Sequence, residues 1–240
     1  NGLDISLGES VVYSDRGPLL MYLLPLMFFK SAEHYNRDTD NTQMFGTADV
    51  TLLRGVNLYL SVFVDEIVLE TLFKSAEEGG RQQAGYTAGL HTYDLGVDNV
   101  ELIAEYSRLN PWVYTHKFPA VTFTNNGYQL GHWIGQNADH LYVEVRYLPT
   151  RWLTVSGFWE RYRKGGEEDV SRQYQSPQPS FLYAPLRLER SAGAKVRLQF
   201  AREAFLDLWG RVVSISDDRA PIWNVSQQVE YSLSLRYGLW

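Results

Sequence analysis

The segment Arg108–Asp139 carries the densest set of side chains in this sequence that could do chemistry. Eight of them combine aromatic rings, imidazoles and amides, and we predict that they contact a glycan: Trp112, Tyr114, His116, Asn125, Asn126, His132, Trp133 and Asn137. Aromatic faces stack on the C–H surfaces of sugars, and amides hydrogen-bond the hydroxyl groups. The alternative is a loop packed around its own tryptophans, with Gly127, Gly131 and Gly135 at its turns.

A second candidate is the predicted loop Arg163–Arg190, which begins with basic residues: Arg163, Lys164 and, further on, Arg172. Charge-assisted hydrogen bonds from these groups could bind an acidic capsule or the phosphates of lipopolysaccharide. Glu167, Glu168 and Asp169 follow and cancel the charge, so a solvated loop is the alternative.

Catalytic and cofactor motifs are missing from the sequence. The five histidines do not form the two-histidine helical spacing of a zinc protease, and there is no GxSxG, P-loop, dinucleotide fingerprint or calcium loop. His140 adjoins Asp139, but neighbours on a strand point to opposite faces and make a poor dyad. His91 is predicted near Glu101, where a structural hydrogen bond is the simpler role. We therefore predict no catalytic residue, no metal and no cofactor.

The elements that must position these residues are strands, because alternation with a period of two dominates the chain. Val56–Asp65 is the clearest case, with valine and leucine on one face and polar side chains on most of the other. Nine further segments follow this pattern: Leu3–Tyr13, Met44–Leu53, Gln83–Tyr93, Asn99–Ser107, His140–Leu148, Leu153–Tyr162, Ser191–Phe200, Ala204–Val212 and Gln228–Leu239. Most have about ten residues, the length that crosses a bilayer at a tilt.

The connections between these strands alternate in length. The long ones are Ser14–Gln43, Glu66–Gln82, Arg108–Asp139 and Arg163–Arg190, the short ones are Arg54–Gly55, Asp94–Asp98, Pro149–Trp152 and Ala201–Glu203, and Val213–Gln227 is intermediate. This asymmetry is typical of outer-membrane barrels, which have short periplasmic turns and long extracellular loops. It predicts an all-β, transmembrane antiparallel barrel over residues 1–240, with both chain ends in the periplasm.

The polar strand face carries charges of both signs: Asp49, Asp65, Glu101, Glu105, Glu144, Arg146, Glu160, Lys195, Arg197, Asp207, Arg211, Glu230 and Arg236. Such groups are costly against lipid, whereas in a wet lumen they can pair. We predict a lumen network of cross-strand ion pairs that includes Asp65, Glu101, Glu105, Glu144, Arg146, Arg197 and Arg211. The apolar face carries aromatics near the strand ends, with Tyr106 and Trp159 at the outer rim and Tyr147 and Tyr237 at the inner, as in membrane girdles.

Composition narrows the class of protein further. The net charge is −6, so a nucleic-acid partner is not expected, and there is no cysteine. The mean hydropathy is −0.28, and no apolar run reaches the eighteen residues of a transmembrane helix. No signal peptide precedes Asn1, so we expect a mature or truncated form. A soluble β-sandwich or lipocalin-like barrel is the alternative, because its strands alternate in the same way.

The stretch Leu19–Phe29 is apolar although it falls in a predicted extracellular loop. Exposed, it would be a liability, so we expect it to be buried as a plug in the barrel mouth. An additional strand pair is the alternative.

Two parts of the chain resemble the Wzi-like capsule-assembly family of outer-membrane proteins. The first is LGESVVYSDRG (7–17) with YLLPLMFF (22–29) and DTDN (38–41), and the second is FTNNGYQLGHWIGQNADHLYVEVRYLP (123–149) with RYRKGG (161–166). The resemblance implies a lectin-like barrel of about eighteen strands, obstructed by its own loops, that helps attach capsular polysaccharide to the cell.

This chain departs from that family in two ways. It has ten predicted strands, so either N-terminal strands lie outside this sequence or it is a smaller relative that closes with ten. Trp240 is a terminal aromatic, but the lipid-facing set ends at Leu239, which a bulge would repair.

The function predicted from residues and resemblance together is non-catalytic binding or assembly of surface polysaccharide. The expected partners are capsular or other surface polysaccharide, outer-membrane lipid and lipopolysaccharide, and the barrel-assembly machinery. A passive porin and a barrel hydrolase or protease are the alternatives.

Overall fold

The computed structural model is all-β, with 61% of its described residues in strands and one large antiparallel sheet. It describes residues 2–15, 17, 19–24, 27–35, 39–67, 82–94, 96–167, 169–175 and 179–238. The sheet strands are β1 (Gly2–Val12), β2 (Asn41–Leu53), β3 (Val56–Ile67), β4 (Gln82–Tyr93), β5 (Val100–Leu109), β8 (Ala138–Thr150), β9 (Leu153–Lys164), β10 (Arg187–Ala201), β11 (Ala204–Asp217) and β12 (Val225–Tyr237). A separate hairpin is formed by β6 (Thr124–Asn125) and β7 (Tyr128–Gln129).

The helices among the described residues are short and lie in the connections between strands. One α-helix, α1, spans Phe29–Tyr35, and the 3-10 helices span Leu20–Leu23, Pro119–Val121, Val170–Tyr174 and Pro221–Trp223. Among the described residues, none of the helices is long and apolar enough to cross a membrane.

The strands of the large sheet are hydrogen-bonded in sequence order, from β1 to β12, and every pair is antiparallel. The prediction of an antiparallel all-β fold with ten strands is therefore confirmed. In the described part of the chain β1 and β12 are not paired with each other, and the sheet is not closed. Leu239 and Trp240, on which the predicted C-terminal register depends, lie outside the described residues.

The two faces of the sheet differ in polarity, and the apolar face is the more exposed one, which is the inverse of a sheet in a water-soluble protein. On β8 and β9 the apolar side chains of Val145 and Val155 are exposed, whereas Glu144 and Ser156 on the opposite face are 5% exposed. Trp159 and Tyr147, two of the predicted girdle aromatics, are also exposed on the apolar face. A water-soluble sheet buries its apolar face instead. On these two strands the polar face is therefore the more enclosed one.

The apolar stretch 19–29 differs from its expected burial. Leu20, Leu23 and Phe28 are exposed, and the described part of this stretch contains a 3-10 turn but no strand. It is anchored by Tyr22, which is buried, donates to Asp40 Oδ2 at 2.8 Å and packs edge-on against Phe29. The expectation of a fully buried plug is therefore wrong for these side chains, since one tyrosine holds the turn and leaves the leucines outside.

Candidate functional site

The connection 110–137 between β5 and β8 folds over the polar face of the sheet. At one side the backbone N–H of Tyr114 donates to Asp65 Oδ2 on β3 at 2.7 Å. At the other side the Tyr162 hydroxyl on β9 donates to the carbonyl of Ile134 at 3.3 Å. Because β4, β5 and β8 lie between β3 and β9 in the sheet, the connection bridges the inner surface of five strands.

Its core is a small hydrophobic cluster formed by Leu109, Val113, Tyr114, Ile134 and Ala138. Phe63 from β3 and Phe123 from the loop pack against Tyr114, with ring centroids 4.9 and 5.6 Å away. Gly131 lies directly under the Tyr114 ring, where a Cβ would come within 2.1 Å of Cζ. Burial of the tyrosine raises its pKa. This cluster gives the loop a fixed shape on the sheet.

Three of the eight residues predicted to contact glycan are buried in this arrangement. Trp112 and Tyr114 are 4% and 6% exposed, and both have positive φ angles, which aromatic residues rarely adopt. Asn137 is fully buried: its Nδ2 donates to the Gly166 carbonyl, and its Oδ1 accepts from Leu182 N, both at 2.8 Å. Buried rings and amides cannot reach a polymer in solvent, so these residues shape the loop and join it to the connection 165–186.

The other five predicted residues are more accessible but do not form one group. Asn125 and Asn126 are exposed at the tip of the β6–β7 hairpin. His116 is partly buried, accepts from Phe118 N at 3.1 Å, and burial lowers its pKa. His132 and Trp133 lie on the following turn, where their rings stack with centroids 6.0 Å apart.

His132 is fixed in the loop by hydrogen bonds through its ring and its backbone. Its ring Nδ1 accepts from the backbone N–H of Ile134 at 3.3 Å, and its backbone N–H donates to the Tyr114 hydroxyl at 3.0 Å. Burial lowers the pKa of His132, because the charged ring would lose hydration. The turn that presents Trp133 is thus fixed by the loop core.

Trp133 is exposed and forms one wall of a cavity on the polar face. The cavity has a volume of ≈ 490 Å³ and is lined by Trp133, His140, Glu160, Tyr162, Lys164, Arg187, Glu189, Arg211 and Arg219. The Trp133 ring lies 5.5 Å from the Tyr162 ring and 5.0 Å from the His140 ring, between centroids. We call this space the loop cavity.

Four of the residues lining the loop cavity are cationic, and three of these have acidic partners. The distances between side-chain nitrogen and carboxylate oxygen show the pairs. Arg211 lies 2.8 Å from Glu230 and 3.1 Å from Glu160. Arg187 lies 3.1 Å from Glu189, and Lys164 lies 2.6 Å from Glu167.

Arg219 is different, because its guanidinium donates to backbone carbonyls, at 2.7 Å for Gly165. No ion pair within the described ranges includes it. The loop cavity thus offers an aromatic wall and a cation without a carboxylate partner.

The predicted charge network divides into separate groups on the polar face. Glu101, Glu144, Arg146 and Arg197 line a second space of ≈ 720 Å³ nearer the short turns, together with Lys195, Asp207 and Arg236. We call it the turn-side cavity. Arg211 lines the loop cavity, Asp65 accepts from the loop backbone, and Glu105 accepts from the Tyr59 hydroxyl at 2.6 Å.

In the turn-side cavity the arginines are paired with carboxylates, mostly on neighbouring strands. Arg146 pairs with Glu101 at 2.8 Å and Glu144 at 3.4 Å, and Arg197 pairs with Asp207 at 2.7 Å. Arg236 from β12 also donates to Asp207, through Nε at 2.7 Å. Each of these guanidinium groups therefore has a carboxylate partner on the sheet itself.

The histidine and carboxylate pairs considered from the sequence have structural partners. Asp139 binds Arg163 on the apolar side of the sheet, whereas His140 lies on the polar side, 3.3 Å from Glu160 through Nε2. Ser191 donates to Glu160 at 2.5 Å. His91 Nε2 lies 3.6 Å from Glu101 Oε2 and has no hydrogen-bond partner in the structure, so the hydrogen bond predicted between them is not formed; His91 Nδ1 is instead 2.8 Å from the Tyr93 hydroxyl. The described residues contain no group of three or more His, Asp or Glu arranged to hold a metal ion.

Sequence reasoning missed Tyr162, Lys164, Arg187, Glu189 and Arg219 as residues of one site. The strands β9 and β10 extend to Lys164 and from Arg187, beyond their predicted ends at Tyr162 and Ser191. Continuing the alternation past those ends would have placed Lys164, Arg187 and Glu189 on the polar face. No sequence signal brings Arg219, from the β11–β12 connection, to the same cavity.

A scan of this chain against protein-family models finds no match, and neither does a search of the curated proteins.

Proposed function

We propose that this protein is an outer-membrane β-barrel whose loop cavity binds an acidic surface polysaccharide without catalysing a reaction on it. The observation that carries the glycan proposal is the composition of the loop cavity: the Trp133 and Tyr162 rings beside the carboxylate-free guanidinium of Arg219. Aromatic rings suit the apolar faces of sugars, and a guanidinium suits a uronate carboxylate, which it can bind through two hydrogen bonds.

The inverted polarity of the sheet supports the membrane part of the proposal. Exposed valines and aromatics on one face need an apolar solvent, and a bilayer supplies it, while the polar face would line a wet lumen. The connections also alternate between short ones of two to six residues, as at 54–55, and longer ones of seven to 28 residues, as at 110–137. In such a barrel the long connections face the cell exterior and both ends of the sheet face the periplasm.

The position of the connection 110–137 supports a binding role over passive transport. It bridges the polar face from β3 to β9 and is fixed there by Asp65 and Tyr162. A loop anchored inside the barrel would narrow the lumen and hold Trp133 at its mouth. The Wzi-like resemblance of this segment agrees with a capsule as the source of the polysaccharide, and lipopolysaccharide and the barrel-assembly machinery are the remaining proposed partners.

The test is binding of a glucuronate-containing polysaccharide to the detergent-solubilised protein. The carboxyl-reduced form of the same polymer serves as the uncharged ligand. Trp133→Ala is expected to weaken binding about tenfold or more, because truncation of a tryptophan at the centre of an interface costs about 2 kcal/mol. Trp152→Ala, an exposed tryptophan in the short 151–152 turn, is the matched control and is expected to bind as wild type does.

Loss of binding in both variants, or equal binding of the reduced polymer, would contradict the proposed site. Absence of binding by the wild type together with ion conduction in a planar bilayer would favour the passive channel. Heat-modifiable migration of each variant in gels shows independently that the barrel has formed.

A further inference from the structure

Four arginines lie close together on the apolar face of the sheet, near its loop end. Arg108 on β5 and Arg163 on β9 are both register partners of Asp139 on β8, and Arg161 on β9 is the partner of Arg190 on β10. Neighbouring strands are about 4.8 Å apart, so the four residues fall within a strip about 15 Å wide. We call these residues the outer arginine cluster.

Asp139, the register partner of Arg108 and Arg163, is the carboxylate that contacts the cluster. It is fully buried and accepts from Arg163 Nε at 2.8 Å, from Arg163 Nη2, and from the Tyr106 hydroxyl at 3.0 Å. Arg161 Nη2 lies 3.9 Å from the same carboxylate. One carboxylate against four guanidinium groups leaves three positive charges on this strip.

Two of the other arginines keep donors without a carboxylate partner. The Nε of Arg161 is buried and has no hydrogen-bond partner in the structure. Arg190 is exposed, and no ion pair in the described part of the chain includes it. Arg108 is held flat over the Phe181 ring, 3.8 Å from its centroid, with its Nε donating to Asn110. The cluster is therefore ordered by Asp139 and Phe181, while its charge is left uncompensated.

Its neighbours along the strands define a gradient of polarity. Trp159 lies two residues from Arg161 towards the middle of β9, and Tyr86 and Tyr106 lie side by side with ring centroids 6.0 Å apart. Beyond them the same face carries the exposed aliphatic residues Val145 and Val155. Arginine, then aromatic, then aliphatic is the order in which a protein meets headgroups, the interface and acyl chains.

We propose that the outer arginine cluster binds the phosphorylated sugar headgroup of an outer-leaflet glycolipid. Arginine on a lipid-facing surface is costly unless an anion meets it, and guanidinium groups bind phosphate oxygens through two parallel hydrogen bonds. The width of the cluster suits a headgroup with two phosphates more than one with a single phosphate. This inference rests on the proposed membrane barrel, since the same face must be in lipid.

The test measures lipid bound to the detergent-solubilised protein by native mass spectrometry, with bis-phosphorylated lipid A as the probe. The comparison ligands are dephosphorylated lipid A, phosphatidylglycerol and inorganic phosphate. The double variant R161Q/R190Q is compared with R151Q/R202Q, whose arginines lie in the short turns at the other end of the strands. We expect the first variant to retain at least fivefold less lipid A, and the second to retain as much as wild type.

Equal retention by both variants, or equal retention of dephosphorylated lipid A, would overturn the proposed site. Equal binding of phosphatidylglycerol would overturn the assignment to a glycolipid. Displacement of lipid A by inorganic phosphate would also overturn it, because the cluster would then bind phosphate alone and not the lipid. Flotation with phosphatidylcholine vesicles is measured separately. If the wild type does not insert there, the membrane barrel fails; if it inserts and the variants bind alike, only the lipid site fails.

Discussion

The loop cavity and the turn-side cavity lie on the same polar face, yet their charges are arranged differently. In the turn-side cavity Arg146, Arg197 and Arg236 each reach a carboxylate on the sheet at 2.7–2.8 Å. In the loop cavity Arg219 reaches backbone carbonyls, and Trp133 and Tyr162 supply an aromatic wall. Paired ions stabilise the sheet, whereas an unpaired cation beside aromatic rings is available to an anionic ligand. The difference separates a structural role from a binding role, and four measurements test it.

The largest expected effect is on the free energy of unfolding when a turn-side pair is broken. Arg146→Met leaves Glu101 without its closest cation and weakens the environment of the buried Glu144. Breaking a buried pair costs about 3–5 kcal/mol, and partial exposure of Arg146 reduces this to about 2–3 kcal/mol.

Urea unfolding in lipid vesicles measures this change, with Arg202→Met in the exposed 202–203 turn as the control. Binding of the glucuronate polymer is expected to stay at the wild-type level. If Arg146→Met instead lowered the affinity for the polymer and left the free energy of unfolding unchanged, the polymer would contact the turn-side cavity, which would contradict the proposal.

The second effect is a loss of affinity for the acidic polymer when a cation of the loop cavity is removed. Arg219→Gln removes the guanidinium but keeps an amide donor, so binding of the acidic polymer should fall about tenfold, equivalent to about 1.4 kcal/mol. Stability should stay within about 0.5 kcal/mol, as for surface changes in general. Binding of the carboxyl-reduced polymer serves as the internal control, and an equal loss for both polymers would contradict a charge-specific role for Arg219.

A third, smaller effect distinguishes the cavities by ionic strength. Raising salt from low to physiological concentration shortens the screening length to about 8 Å, and polymer binding at the open loop cavity should weaken about threefold. The urea midpoint of the wild type should change little, because the turn-side pairs are in direct contact. Binding that does not depend on salt would show that the carboxylates of the polymer do not contribute.

The smallest effect is on the turn that presents Trp133. The pKa of His132 is lowered in the folded protein by burial, so the neutral ring stabilises the turn above the unfolded pKa of about 6.5, and this contribution is lost as the pH falls below it. Protonation of Nδ1 also removes the acceptor for Ile134 N.

Amide hydrogen exchange between pH 7.5 and 5.5, corrected for intrinsic rates, should show about twofold faster exchange at Ile134 in acid, about 0.4 kcal/mol. His132→Gln, which keeps an acceptor at both pH values, should abolish the difference. His116→Gln, at a histidine outside this turn, should preserve it.

The sequence predicts which segments form strands and which side chains share a strand face, because the alternation of apolar and polar residues is a local property. Val56–Asp65 was predicted as a strand, and β3 spans Val56–Ile67; the other nine predicted strands also have counterparts in the sheet. The strand ends were predicted less well. The strands β9 and β10 extend to Lys164 and from Arg187, although the charged residues there are also typical of a loop.

The candidate site could be predicted only in part. The aromatic and amide content of 110–137 identified the segment, but the same side chains serve packing and binding. Trp112 and Trp133 look equivalent in the sequence; the first is 4% exposed and the second 66% exposed.

The amino-acid sequence by itself determined the ten antiparallel strands, the two chemically different faces and the alternating connections, because each depends on residues close together in the chain. The tertiary structure decided which side chains meet. Tyr162, Arg219 and Trp133 come from a strand and two separate connections, and their proximity depends on where the loop core packs. Likewise, Arg108 becomes a neighbour of Asp139, and Arg190 a neighbour of Arg161, through strand register, which fixes distances between residues that are far apart in the chain.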